Sequence, residues 1–188
     1  MDDVVIRSML KWPDVPDVFG WLRLDRRGNW RVRGASEGRE PVFGTVGNRA
    51  LKAFIDRNYA GDERGRWFFQ NGPQRVFVQL AYAPFVFRID RGAVTDHCGR
   101  ELHRIDGVWL DDEGSLLLAA PGRVGLLDDR DLPAIADEVA AGLLRLVPGC
   151  FRVGNLAGHE VERRFGFVRD PAPELPPRSD PAAGRREP

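Results

Sequence analysis

The sequence predicts an α+β protein of two small β-rich halves, roll- or barrel-like, each a hairpin followed by a helix. Three observations carry this prediction. The run Arg66–Leu80, continuing through Phe85–Ile89, concentrates large apolar side chains around Asn71-Gly72, a pair that tolerates the positive φ of a tight hairpin turn. The pattern Leu-Asp-x-x-Gly-small polar-apolar occurs at Leu24–Trp30 and again at Leu110–Leu116, 86 residues apart. A stretch with helical apolar spacing follows each copy at a similar interval, which reads as a degenerate duplication. The expected division is an N-terminal α+β half at 1–91, a C-terminal α+β half at 92–169, and a Pro-rich disordered tail at 170–188.

Residues 1–20 read as an irregular lead-in, with Pro13 and Pro16 flanking an anchoring Trp12. Trp21–Leu24 and Trp30–Arg33 form a hairpin across Asp25-Arg26-Arg27-Gly28, where Asp opens the turn and Gly takes its left-handed position. Period-two alternation puts Leu22, Leu24, Trp30 and Val32 inward and Trp21, Arg23, Arg31 and Arg33 outward. After a polar Gly-rich loop, Asn48 caps a helix whose Leu51, Phe54, Ile55 and Tyr59 share a face, with Gly61 ending it. Val76, Val78 and Leu80 lie on one face of the returning strand and Phe77 on the other, so both faces need covering. In the second half, Asp131 caps a helix with the stripe Leu132, Ile135, Val139, Leu143 and Leu146, stopped by Pro148-Gly149. Phe151–Val153 and Phe165–Val168 are its later strands.

At 188 residues, 43% hydrophobic and 30% charged, with formal net charge zero, the composition is that of a globular domain with no global pull toward nucleic acid or anionic membranes. Charge is uneven along the chain: residues 20–75 hold twelve basic against six acidic groups, and residues 106–140 hold two against nine. Such complementary halves are expected to face one another, within one chain or between copies of a homo-oligomer. Two cysteines are too few for a disulfide framework, the N-terminus lacks a signal peptide's features, and no apolar run reaches the ~20 residues of a membrane span. The expected location is cytoplasmic.

Candidate chemistry is sparse. His97, Cys98 and His103 form the most ligand-like cluster, because zinc prefers His and Cys, although their spacing matches no established zinc module. Neighbouring His97 and Cys98 would point to opposite faces of a strand, too far apart for a thiol–imidazole pair. Asp111-Asp112-Glu113 sits in a turn, and Asp128, Asp129 and Asp131 precede a helix, so these carboxylates read as turn and cap residues. Trp21, Arg23, Arg31 and Arg33 combine aromatic and cationic groups as single-strand binders do. No catalytic residue and no cofactor is assigned.

The segments Asp14–Trp30, Phe54–Tyr59 and Gly65–Val76, with Leu110–Gly114 and Leu127–Leu132, resemble a bacterial family catalogued only as a domain of unknown function, over roughly residues 12–147. A more distant likeness is to a second such family, built of two small β-rich barrel or roll domains. The resemblance implies the two-part architecture and brings no activity, cofactor or site residue. The function expected is non-enzymatic binding of a partner protein or small ligand at the cleft between the halves. Alternatives are nucleic-acid binding through the basic aromatic hairpin 21–33 and a metal-dependent enzyme at His97, Cys98 and His103.

Overall fold

The computed structural model describes residues 1–35, 40–147 and 149–173. The tail expected to be disordered lies from 174 onward outside the described residues, as does Pro148. The fold is α+β. The first sheet contains β1 (Val18–Leu24), β2 (Trp30–Arg33), β3 (Phe43–Thr45), β4 (Tyr59–Gly61), β5 (Trp67–Asn71) and β6 (Gln74–Leu80), in the order β3-β2-β1-β6-β5-β4. The second contains β7 (Phe85–Asp90), β8 (Ala93–Asp96), β9 (Gly107–Leu110), β10 (Leu116–Ala120), β11 (Arg123–Leu127), β12 (Leu143–Leu146) and β13 (Gly149–Asn155), in the order β12-β13-β9-β10-β11-β7-β8. Helices α1 (Asp3–Lys11), α2 (Arg49–Arg57), α3 (Leu132–Ala140) and α4 (Val161–Phe165) complete the described elements with a short 3₁₀ turn at Gly158–Glu160.

The duplicated pattern corresponds to a repeated topology. In each unit a hairpin (β1–β2, β9–β10) gains a third antiparallel strand (β3, β11). A helix follows (α2, α3), then an antiparallel pair (β5–β6, β12–β13) whose last strand inserts parallel beside the first strand of the unit. The repeats therefore occupy 18–80 and 107–155. Phe85–Ile89, expected to continue the first sheet, instead pairs parallel to β11 in the second. Its local pattern marks a buried strand and carries no information about its partner.

The Asp-x-x-Gly corners share one geometry, and the described chain has four of them. At Asp25, Asp62, Asp96 and Asp111 the same carboxylate oxygen accepts the backbone N–H groups two and four residues on, at 2.6–3.0 Å. The glycines Gly28, Gly65, Gly99 and Gly114 have φ of +74° to +81°, which a side chain would resist. Satisfying two turn amides with one charged acceptor fixes each corner without tertiary help. The β5–β6 connection differs from expectation: Asn71 pairs with Gln74, and the two-residue turn is Gly72-Pro73, with Gly72 at φ +58°.

One core joins the sheets. It includes Leu24, Trp30, Tyr59 and Val78 from the first repeat with Phe85, Phe87, Val108, Leu117 and Leu144 from the second sheet. All five residues of β10 are buried, as a strand covered on both faces must be. Phe77 is fully buried on the far face of the first sheet, where ring and guanidinium groups cover it rather than a second sheet among the described residues. Phe19 stacks on it at 4.7 Å, and the Arg66 guanidinium lies 4.6 Å from its ring. Long cationic side chains thus serve as cover for an apolar ring.

Several expectations are corrected. Residues 3–11 form α1, packing Val5 inward, with the Asp2 N–H donating to Asn58 Oδ1 at 2.8 Å. Trp12 is 51% exposed, with the Lys11 amine 4.5 Å over its ring, and stands outside the shared core. Asn48 caps α2 as expected, accepting from the Leu51 N–H. Asp131 does not cap α3: its carboxylate is drawn to Arg88 and the Ile89 N–H. Leu143 and Leu146 belong to β12, because Gly142 at φ +74° ends the helical run. Phe165 closes α4 rather than opening a strand.

Candidate functional site

The register of the first sheet sets four polar side chains in one row. Thr45 is opposite Arg31, Arg31 opposite Arg23, and Arg23 opposite Gln79. Arg23 and Arg31 line an open pocket of about 520 Å³ together with Leu24, Asp25, Gln79, Leu80 and Ala81, Pro41 and Phe43, and Arg169 and Asp170 from the C-terminal segment. The Arg23 Nε donates to Gln79 Oε1 at 2.7 Å, and its guanidinium lies 3.7 Å over the Phe43 ring. Arg31 donates to the Phe43 carbonyl at 2.9 Å. Gln79 in turn donates to Asp170 at 2.7 Å.

A second depression lies between α2 and the first sheet. Leu51 and Ile55, one helical turn apart, face Val18, Leu22, Val32, Phe69 and Val76 across a groove of about 460 Å³, with Trp21, Val46 and Gln74 completing its lining. Trp21 is 50% exposed, Val32 42% and Leu51 43%. Val32, expected inside, lines the groove instead: α2 leaves that face of β2 partly open beyond the buried Trp30. The four residues expected to form one binding face are therefore divided. Arg23 and Arg31 line the polar pocket, Trp21 lines the apolar groove, and Arg33 lines neither, its guanidinium 5.7 Å from the Trp21 ring. Gly20, at φ +72°, sits in an irregularity between Val18 and Leu22 that alternation does not anticipate. Gln79 and Arg169 are the site residues sequence reasoning missed, since parallel pairing and C-terminal return are long-range facts.

The expected metal set is not assembled. His97 and Cys98 occupy an Asp-x-x-Gly turn and His103 points to solvent near Glu101; among the described residues no three His, Cys, Asp or Glu side chains are grouped to hold an ion. His97 packs against Trp30, Tyr59 and Phe85, with ring centroids 5.2–5.7 Å apart. Its Nδ1 accepts the Val86 N–H at 3.3 Å, which leaves the hydrogen on Nε2, 3.5 Å from the Cys98 sulfur. The turn thus brings thiol and imidazole together where a strand would have separated them. Burial, with Lys52 and Arg100 nearby, lowers the His97 pKa to about 3; burial, with Asp56 and Asp96 nearby, raises the Cys98 thiol to about 12. Both are neutral at pH 7, so the pair supplies neither a thiolate nor a base.

Between the sheets, the free oxygen of Asp111 accepts a short hydrogen bond from Tyr82, whose ring lies between the guanidinium groups of Arg26 and Arg169 at 4.6 and 4.7 Å. Burial and this bond raise the tyrosine pKa. The basic hairpin and acidic second repeat meet here within one chain: Arg27 takes Asp129 at 3.0 and 3.2 Å, and Arg26 donates to Ser115 at 2.6 Å. Among the described residues no helix is long and apolar enough to cross a membrane.

The fold is similar to that of a DUF1285 family protein from Silicibacter pomeroyi DSS-3, at 18% identity over 87% of this chain and 100% of that one, with a TM-score of 0.51. A DUF1285 family protein from Shewanella baltica OS155 matches at 17% identity over 62% of this chain and 91% of that one, TM-score 0.45. No curated protein matches. The family DUF2944, described as a protein of unknown function (DUF2946), matches residues 1–172, and the chain belongs to that family.

Proposed function

We propose that the protein is a non-enzymatic binding module that takes an uncharged, mostly apolar small molecule in the groove between α2 and the first sheet. One observation carries the reading: nine of the ten lining residues are apolar and the tenth, Gln74, is a neutral amide. A concave apolar site of this volume with a single polar group is what small-molecule pockets look like. Leaving Trp21, Val32 and Leu51 half exposed forfeits burial worth about 25 cal/mol per Å² of apolar surface, which a ligand would recover. The lining offers no ionisable group, so the reading is binding rather than catalysis. The site lies within the first repeat and not between the two halves.

Calorimetric titration with straight-chain alcohols of increasing length tests this. Affinity should rise about threefold to fourfold per methylene until the groove is filled, with a negative heat-capacity change. Leu51→Glu, at a half-exposed helix position, should abolish binding while leaving the circular dichroism spectrum intact. No heat from any chain length at either about 10 or about 35 °C, temperatures between which a heat-capacity change must show itself, would refute the reading.

A further inference from the structure

We infer that the pocket around Arg23 and Arg31 is an anion-binding site for a small molecule carrying a phosphate or carboxylate group, separate from the apolar groove and sharing none of its lining. The argument begins with a cost. Arg23 and Arg31 are direct cross-strand partners, and like charges placed opposite one another weaken an antiparallel pair. The surrounding groups relieve this only in part, and at Arg31 alone. Arg23 is held by a neutral amide at 2.7 Å and by the Phe43 ring, and among the described residues no carboxylate pairs with it. Arg31 forms one loose ion pair, with Asp25 Oδ2 at 3.8 Å, and that oxygen also accepts from Asn29 at 3.1 Å.

The remaining acid, Asp170, is engaged by Gln79. Arg169 also lines the pocket but is ion-paired with Glu162 at 3.5 Å, so Arg23 is the guanidinium there whose charge no carboxylate among the described residues offsets. An anion seated between the two forks would turn the repulsive pair into a pair of charge-assisted contacts. The Arg23 fork is already oriented for this, since the Phe43 ring and Gln79 fix it from two sides. Phe43 and Pro41 beside it give an aromatic or aliphatic body a wall to lie against. The ligand class is therefore a small organic anion with a flat or apolar body.

Phenyl phosphate and benzoate share a ring and differ in the anion, so they separate the two sources. Thermal unfolding of the full chain is followed with each, against sodium chloride at matched ionic strength. The melting temperature should rise with at least one of them and stay level with chloride. Arg23→Gln and Arg31→Gln should each weaken the binding about 10- to 100-fold. Because each variant also loses its contacts to Gln79 or Phe43, the ligand-induced rise is read against that variant's own unliganded melting temperature, and a purely structural role would leave that rise unchanged. A rise with phenyl phosphate alone assigns a phosphate site, with benzoate alone a carboxylate site, and with both a general anion site. No rise with either, or an unchanged response in both variants, overturns the inference.

Discussion

His97 shows how one turn decides a residue's chemistry. Its ring sits among Trp30, Tyr59 and Phe85, and its Nδ1 is occupied by a backbone N–H. Protonation would put a charge there beside Lys52, whose ammonium donates to the His97 carbonyl at 3.2 Å. The folded pKa of about 3 lies below the ordinary value of 6.5, so above 6.5 folded and unfolded chains are both neutral and histidine adds no pH dependence. Below 6.5 the unfolded chain takes up the proton and the folded one does not. Stability then falls by up to about 1.4 kcal/mol per pH unit until the folded pKa is reached. In an NMR titration the His97 ring carbons should stay at their neutral positions from pH 8 to 4.5. A midpoint near 6.5 would show that the ring is solvated and the packing described is wrong.

At the level of elements, the Asp-x-x-Gly corners do the same local job but differ in how far they reach. Asp62 turns its second oxygen to Arg66, four residues on, whereas Asp111 turns its own to Tyr82, 29 residues away. Removing Asp62 loses a turn; removing Asp111 also strands a buried phenol. Asp62→Ala should cost about 1–2 kcal/mol and Asp111→Ala about 3 kcal/mol or more in denaturant unfolding, and equal costs would deny Asp111 its role between the sheets. These elements were legible to different degrees. α2 was readable because Asn48 caps it and Leu51 and Ile55 keep its period, and the turns because Asp and Gly are chemically committed. α1 was lost to the prolines that follow it, and β12 because Leu143 and Leu146 continue the spacing of α3 past Gly142. The candidate sites were half legible: Arg23, Arg31 and Trp21 were singled out, but their division between two pockets depends on the irregularity at Gly20 and on Gln79 and Arg169 arriving from far along the chain.

In the whole molecule, two units of like topology close on one shared core and leave the first sheet's groove open at its rim. Leu117 lies at 0% exposure in the middle of the second sheet, while Trp30, at 1%, reports on the first. If the core is shared, a cavity at Leu117 must weaken both sheets equally. The test is urea unfolding of a Trp109→Phe background, whose remaining tryptophans all lie in the first 67 residues, with and without Leu117→Ala, followed together by tryptophan fluorescence and far-UV circular dichroism. The account predicts one coincident transition by both probes, displaced in the variant by the same amount in each and worth about 2–5 kcal/mol. Two separate transitions, with fluorescence unmoved by Leu117→Ala, would contradict it.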